Sequence, residues 1–342
     1  MPGPALLEAF RGRRTPTLPV WFMRQAGRSL PEYREARRGV GMLESCLRPD
    51  LAAEITLQPV RRHGVDAAIL FSDIVVPLRL AGVGVDIVAG VGPVVEHPVR
   101  TAADVDALVA HEPGDPSAVA EAARLVVAEL GEATPLIGFA GAPFTLAAYL
   151  VEGRPSRDHL AARTLMHADP ATWRRLMEWA ADLTGQFMRA QVLAGARAAQ
   201  LFDSWAGALS LPDYAAHAAP YSARALAHLD DLDPTRVPRV HFGTGTGELL
   251  AAMRDAGADA VGVDHRIPLD EANRRLGGRT PLQGNIDPAF LAAPWPVLEA
   301  HVRDVVERGR TAPGHVVNLG HGVPPSTDPT VLTRLVELVH TL

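Results

Sequence analysis

The sequence predicts a single α/β domain, a (β/α)8 barrel of the TIM type over residues 1–342, on three observations. Eight short apolar runs recur at 20–23, 67–71, 136–140, 198–202, 238–242, 260–263, 281–284 and 316–319, nearly free of polar alternation. That is the pattern of strands buried on both faces of a parallel sheet. The segments between them read as amphipathic helices, for example 49–63, 118–130, 170–194, 247–256 and 292–308. Finally, a polar residue or glycine follows every run: Arg24, Ser72-Asp73, Gly141, Asp203-Ser204, Gly243, Asp264, Asn285 and Gly320-His321. In a barrel these positions share one rim, the C-terminal face where active sites are built. The 342 residues accommodate a barrel of about 250 with insertions. An open doubly wound sheet is the competing architecture, because a strand count does not prove closure.

In chain order, the first run ends abruptly in Arg24, and Arg28, Arg34 and Arg37 follow, with Gly27 between the first two. Pro31 suits the first position of a short helix and Gly39 its end. A strand that delivers guanidinium groups at its tip is an anion-binding arrangement, since Arg matches carboxylates two at a time. The second run ends in Asp73, where a carboxylate beside so apolar a strand needs partners or a task. Asp203-Ser204 and Asp264 stand at equivalent points. Phe202-Asp203-Ser204 lacks the glycine that a nucleophile elbow needs two residues before its serine. Tyr149 can offer a hydroxyl from an apolar wall. His321, between two glycines, can approach a ligand closely. Gly243-x-Gly245-x-Gly247 has Glu248 where a dinucleotide fingerprint needs glycine, so it reads as a tight strand-to-helix turn.

Composition excludes several classes. All 33 basic residues are arginine. With no lysine, Schiff-base aldolase chemistry, pyridoxal phosphate anchoring and a P-loop are ruled out. A net charge of −6 is unlike that of nucleic-acid binders. No apolar run reaches the roughly 20 residues of a membrane span. The single cysteine, Cys46, forbids an internal disulfide, and with no export signal the expected compartment is the cytoplasm. The 13 histidines form no His-Glu-x-x-His and no His-x-His, so no dedicated metal site is expected unless scattered histidines meet in space.

Six segments taken together resemble the uroporphyrinogen decarboxylase family: WFMRQAGRSLPEYREAR at 21–37, LQPVRRHGVDAAILFSDI at 57–74, GFAGAPFTLAAYLVEG at 138–153, QLFDSWAG at 200–207, LQGNIDP at 282–288 and NLGHGVPP at 318–325. The resemblance implies a (β/α)8 homodimer that removes carbon dioxide from the four acetate side chains of uroporphyrinogen, giving coproporphyrinogen, without metal or organic cofactor. By motif position it implies Arg24, Arg28, Arg37, Asp73, Tyr149, Ser204 and His321 as substrate-binding residues. Among them it implies Asp73, Arg24 and Tyr149 as catalytic. The chain departs from the family pattern at Ser29, at Arg154-Pro155 and at His265, where an aromatic residue, glycines and tryptophan are usual. Two other readings are a corrinoid-dependent methyltransferase of the same barrel type and a non-catalytic tetrapyrrole-binding protein. The first needs a His-x-Cys motif and a later Cys, and Cys46 is the only thiol.

Overall fold

The computed structural model describes residues 3–232 and 237–342. Its strands, in chain order, are β1 (Ala68–Ile69), β2 (Val85–Val88), β3 (Gly92–Val95), β4 (Leu136–Gly141), β5 (Ala198–Asp203), β6 (Arg239–Gly243), β7 (Ala260–Gly262), β8 (Leu282–Gln283) and β9 (His315–Val316). Seven form one parallel sheet in the order β1-β4-β5-β6-β7-β8-β9, and β2 and β3 pair separately as an antiparallel hairpin. Strand thus follows strand around the sheet with helices between, a mixed α/β architecture with all parallel connections.

Seven of the eight apolar runs contain a strand of this sheet. The run at 20–23 does not form one: only Val20 makes a bridge, to Val317. The reason is local. After Trp21 N–H donates to the Val317 carbonyl (3.2 Å), the next two amides are taken by side chains. Phe22 N–H donates to Gln25 Oε1 and Met23 N–H to Asn318 Oδ1, both 3.0 Å. The chain then turns at Arg24, whose φ is +59°. The segment nevertheless touches both ends of the sheet. Val317 N–H donates to the Pro19 carbonyl (2.8 Å) and Asp66 N–H, just before β1, to the Val20 carbonyl (2.9 Å).

The sheet is strongly curled. Trp21 Nε1 donates to Gln283 Oε1 (3.0 Å), and Gln283 Nε2 to Gln200 Oε1 (3.0 Å). Gln200 lies on β5 and Gln283 on β8, three strand steps apart. Flat, they would be about 14 Å apart at 4.7–4.9 Å per step. Alternate residues divide between two buried clusters, as the period of two requires. Ile69, Ile137, Phe139 and Ala198 join one, with Val20, Trp21 and Val240. Ala68, Leu136, Ala140, Ala199 and Leu201 join the other, against helices such as Pro49–His63 and Pro170–Leu193.

Helix bounds follow the local chemistry. Pro49–His63 has proline at its start and Gly64 in the left-handed region at its end. The helix opened by Pro31 stops at Ala36, three residues short of Gly39. The β2–β3 hairpin turns through Gly90 and Gly92, both at positive φ, a conformation that suits glycine. No helix among the described residues is long and apolar enough to cross a membrane.

Candidate active site

The loop after Met23 is built before any ligand arrives. Gln25 is fully buried, and its Nε2 donates to the Ala67 carbonyl (3.0 Å) while its Oε1 accepts from Phe22. This ties the loop to β1. Gly27 comes so near the Arg24 carbonyl that a side-chain carbon there would sit 3.0 Å from it. Arg24 itself holds a left-handed backbone, which costs a non-glycine residue roughly 1–2 kcal/mol. Such strain persists where surrounding contacts over-determine it. Its side chain runs along Gly322, where any β-carbon would collide with Arg24 Cδ and Cγ.

Asp73, just past β1, is half-buried. One oxygen accepts from Val75 N–H (3.1 Å), and among the described residues no other donor reaches the carboxyl. Burial pushes its pKa above the usual carboxylate range; the Val75 N–H and the Arg24 charge pull it back only in part. Tyr149, on the helix Pro143–Glu152, is buried with its ring 3.8 Å from that of Trp205, which in turn stacks on His159 at 4.3 Å. Burial and then the Asp73 charge push the phenol upward, and Arg24 opposes them. Arg24, Asp73 and Tyr149 therefore share one electrostatic neighbourhood.

His321 joins it from the far end of the chain. Its Nδ1 accepts from Gly322 N–H (2.7 Å), which leaves Nε2 as the donor of the neutral ring. Burial lowers its pKa, and Arg24, His265 and Arg266 lower it further against Asp264. Gly320 allows the His265 backbone to pass; a side chain there would strike His265 N.

The other predicted residues are placed less uniformly. Arg28 is exposed, and its guanidinium has no partner among the described residues; the same is true of Arg24. Arg37 is half-buried and donates to Tyr33 OH, to Ser45 Oγ (3.1 Å) and to the Val40 carbonyl (3.3 Å). Ser204 is half-buried, with its carbonyl held by Thr244 Oγ1 (2.6 Å). Arg154 is exposed.

Two strand-end carboxylates differ from the rim reading. Asp203 is fully buried and turned towards Thr145 Oγ1 (2.9 Å) and His241 Nε2 (3.6 Å). Asp264 accepts from Gly245 N–H (2.6 Å), Arg266 N–H (3.2 Å) and the Arg266 guanidinium, so it fastens the Gly243-x-Gly245 turn. Sequence reasoning missed Cys46, a buried thiol pushed upward by burial and by the nearby Asp73 charge. Nothing in Met42–Cys46 signals that proximity. The tilted ring contact of Trp205 with Tyr149 was equally hidden, although both lie in segments that carry the family resemblance.

The family model described as uroporphyrinogen decarboxylase (URO-D) matches residues 1–342. A uroporphyrinogen decarboxylase of Arthrobacter sp. (strain FB24) is 69% identical over 339 residues, covering 98% of this chain and 96% of the relative. One from Leifsonia xyli subsp. xyli (strain CTCB07) is 67% identical over 353 residues, covering 98% and 93%. Among solved structures, a methyltransferase from Methanosarcina mazei shares the fold, with a TM-score of 0.78 at 20% identity over 98% of this chain and 97% of that one. A full-length family match and near-full-length relatives at this identity make the chain a member of the uroporphyrinogen decarboxylase family.

Proposed function

We propose that this chain is a carboxy-lyase that converts uroporphyrinogen III to coproporphyrinogen III, removing carbon dioxide from four acetate side chains in haem and porphyrin biosynthesis. One observation carries the reading beyond family membership. Asp73 keeps a carboxylate oxygen free beside Arg24 and Tyr149, at a rim where Arg24 and Arg28 have no carboxylate partner among the described residues. Acidic side chains of a ligand would supply those partners.

The substrate provides its own electron sink. A proton adds to a pyrrole ring carbon and makes the ring cationic. The bond between acetate methylene and carboxylate then breaks, carbon dioxide leaves, and the electron pair neutralises the ring. Protonation of the resulting exocyclic methylene gives the methyl group, and loss of the proton first added to the ring carbon restores the aromatic pyrrole. Asp73 accepts hydrogen bonds from pyrrole N–H groups and stabilises the developing positive charge, an effect that is strong where water is excluded. Arg24, Arg28 and Arg37 hold carboxylates, and Tyr149, Ser204 and His321 position the substrate. His321 acts as a neutral Nε2–H donor, since its lowered pKa keeps it uncharged near pH 7.

The reading extends to architecture. The chain is one domain, and the segment at 19–23, hydrogen-bonded to both sheet ends, completes a closed (β/α)8 barrel. It works as a cytoplasmic homodimer, which sedimentation equilibrium checks. The decisive assay supplies uroporphyrinogen III under reducing conditions with a chelator and nothing else. Four carbon dioxide molecules per substrate are expected. Dependence on zinc or cobalamin would favour the methyltransferase reading, and tight binding without turnover the tetrapyrrole-binding one.

A further inference from the structure

Away from the candidate active site, three side chains that share no sequence motif converge. Asp213 and His217 stand four apart on the helix Leu211–His217, and so on one face of it. His167 comes from the end of the helix Leu160–Ala168. Their ligating atoms all lie within 4.8 Å of one another, with His167 Nε2 3.6 Å from Asp213 Oδ1 and the two imidazole centroids 5.8 Å apart. We infer that His167, Asp213 and His217 form a site for a divalent transition-metal ion, zinc above all, that clamps the two helices together.

The donor set argues for this chemistry. Two imidazoles and one carboxylate suit zinc and its first-row neighbours, whereas magnesium and calcium prefer oxygen ligands. Around a tetrahedral zinc with bonds of about 2.0–2.1 Å, donors lie roughly 3.3 Å apart, close to the His167–Asp213 separation. Side-chain rotation of His217 closes the remainder. The backbones are already fixed. Ser210 Oγ accepts from Asp213 N–H (3.2 Å), and Trp173 Nε1 donates to the His217 carbonyl (3.1 Å). All three residues keep surface exposure, so an ion can enter.

The position gives the clamp a consequence. The helix carrying His167 begins directly after His159, which stacks on Trp205, and the helix carrying Asp213 and His217 begins soon after Trp205. A bound ion would join the segments on either side of the stack that covers Tyr149.

The test is calorimetric titration of ZnCl2 into the chelator-stripped, dialysed full chain, paired with visible spectra of the Co2+ form. One ion per chain is expected, with a tetrahedral Co2+ spectrum. His167→Ala and His217→Ala should each weaken binding at least about tenfold, and the double variant should abolish it. His167 is largely exposed, so its variant keeps the fold, which circular dichroism verifies; its decarboxylation rate in chelator should match that of the parent. Substoichiometric uptake, or unchanged affinity in a folded His167→Ala protein, would overturn the inference, whatever the outcome of the decarboxylation assay.

Discussion

Asp73 and Asp264 stand at matching points of the fold, each just past a buried parallel strand, and they have opposite fates. Asp264 is almost wholly buried and its oxygens are spent: two backbone N–H groups and the Arg266 guanidinium take them. Asp73 receives one backbone N–H and otherwise faces a cation and a phenol. The first carboxylate fastens a turn. The second is held at a cost that the Val75 N–H and the Arg24 charge offset only in part, which leaves it available for a ligand. Position on a rim does not assign function; the partners that each carboxylate already holds separate these two.

The largest expected effects come from exchanging the two. Asp73→Asn should lower kcat by about 10²–10³-fold or more in the decarboxylation assay. Its urea midpoint should rise, because at neutral pH the ionised form is the disfavoured one. Asp264→Asn should do the reverse, losing about 1–3 kcal/mol of stability with a smaller change in kcat. Equal loss of turnover in both variants would break the comparison.

Acid sharpens it next. Asp73 has a raised pKa, so activity should fail on acidification above the ordinary carboxylate range, and Asp73→Asn should lack that limb. Loss of fold comes from elsewhere. Burial lowers the pKa of His315 from 6.5 to about 4. The unfolded chain then takes up the proton first, so this stability is whole above about pH 6.5 and is lost as pH falls towards 4. At pH 4 the loss is about 3 kcal/mol. Urea unfolding across pH 4–7 should show it, and His315→Asn should flatten the slope by about one proton.

Arg28 and Arg37 offer a smaller contrast. Arg28→Ala should raise KM about tenfold, near 1.4 kcal/mol, with stability unchanged. Arg37→Ala should raise KM as well and should also cost about 1–2 kcal/mol of stability, since it abandons Tyr33, Ser45 and the Val40 carbonyl. A purely kinetic effect at Arg37 would mean those bonds yield to substrate. The smallest measurable change in stability is at Arg24→Gly. Relief of the left-handed backbone should add about 1 kcal/mol of stability, even as kcat/KM falls.

What could be read from sequence followed the strength of local signals. Seven parallel strands were legible because burial on both faces leaves a short unbroken apolar run. The helix at 49–63 was legible to the residue because Pro49 and Gly64 punctuate it. The β2–β3 hairpin was not foreseen, although Gly90 and Gly92 mark its turn, because an apolar stretch at 74–95 masked the alternation. Arg24 was visible as the polar residue that ends an apolar run, and Asp73 as a polar residue just past a strand. That Asp203 turns inward to Thr145 and His241 could not be, since the choice lies in side-chain direction. Cys46 beside Asp73, and His167 beside Asp213, are meetings made by tertiary packing, to which no spacing along the chain corresponds.

The bonds between residues 19–23 and 317–323 have a consequence for how the molecule assembles. Pro19, Trp21 and Met23 are satisfied by Val317, Asn318 and Val323. On the ribosome the Pro19 carbonyl must wait for Val317, about 300 residues further along the chain, to emerge. Contacts of such long sequence separation form slowly. The arginine loop is thus made long before it can be set, and a nascent chain halted before residue 315 would lack β9 as well, holding six of the seven parallel strands and an unfinished mouth.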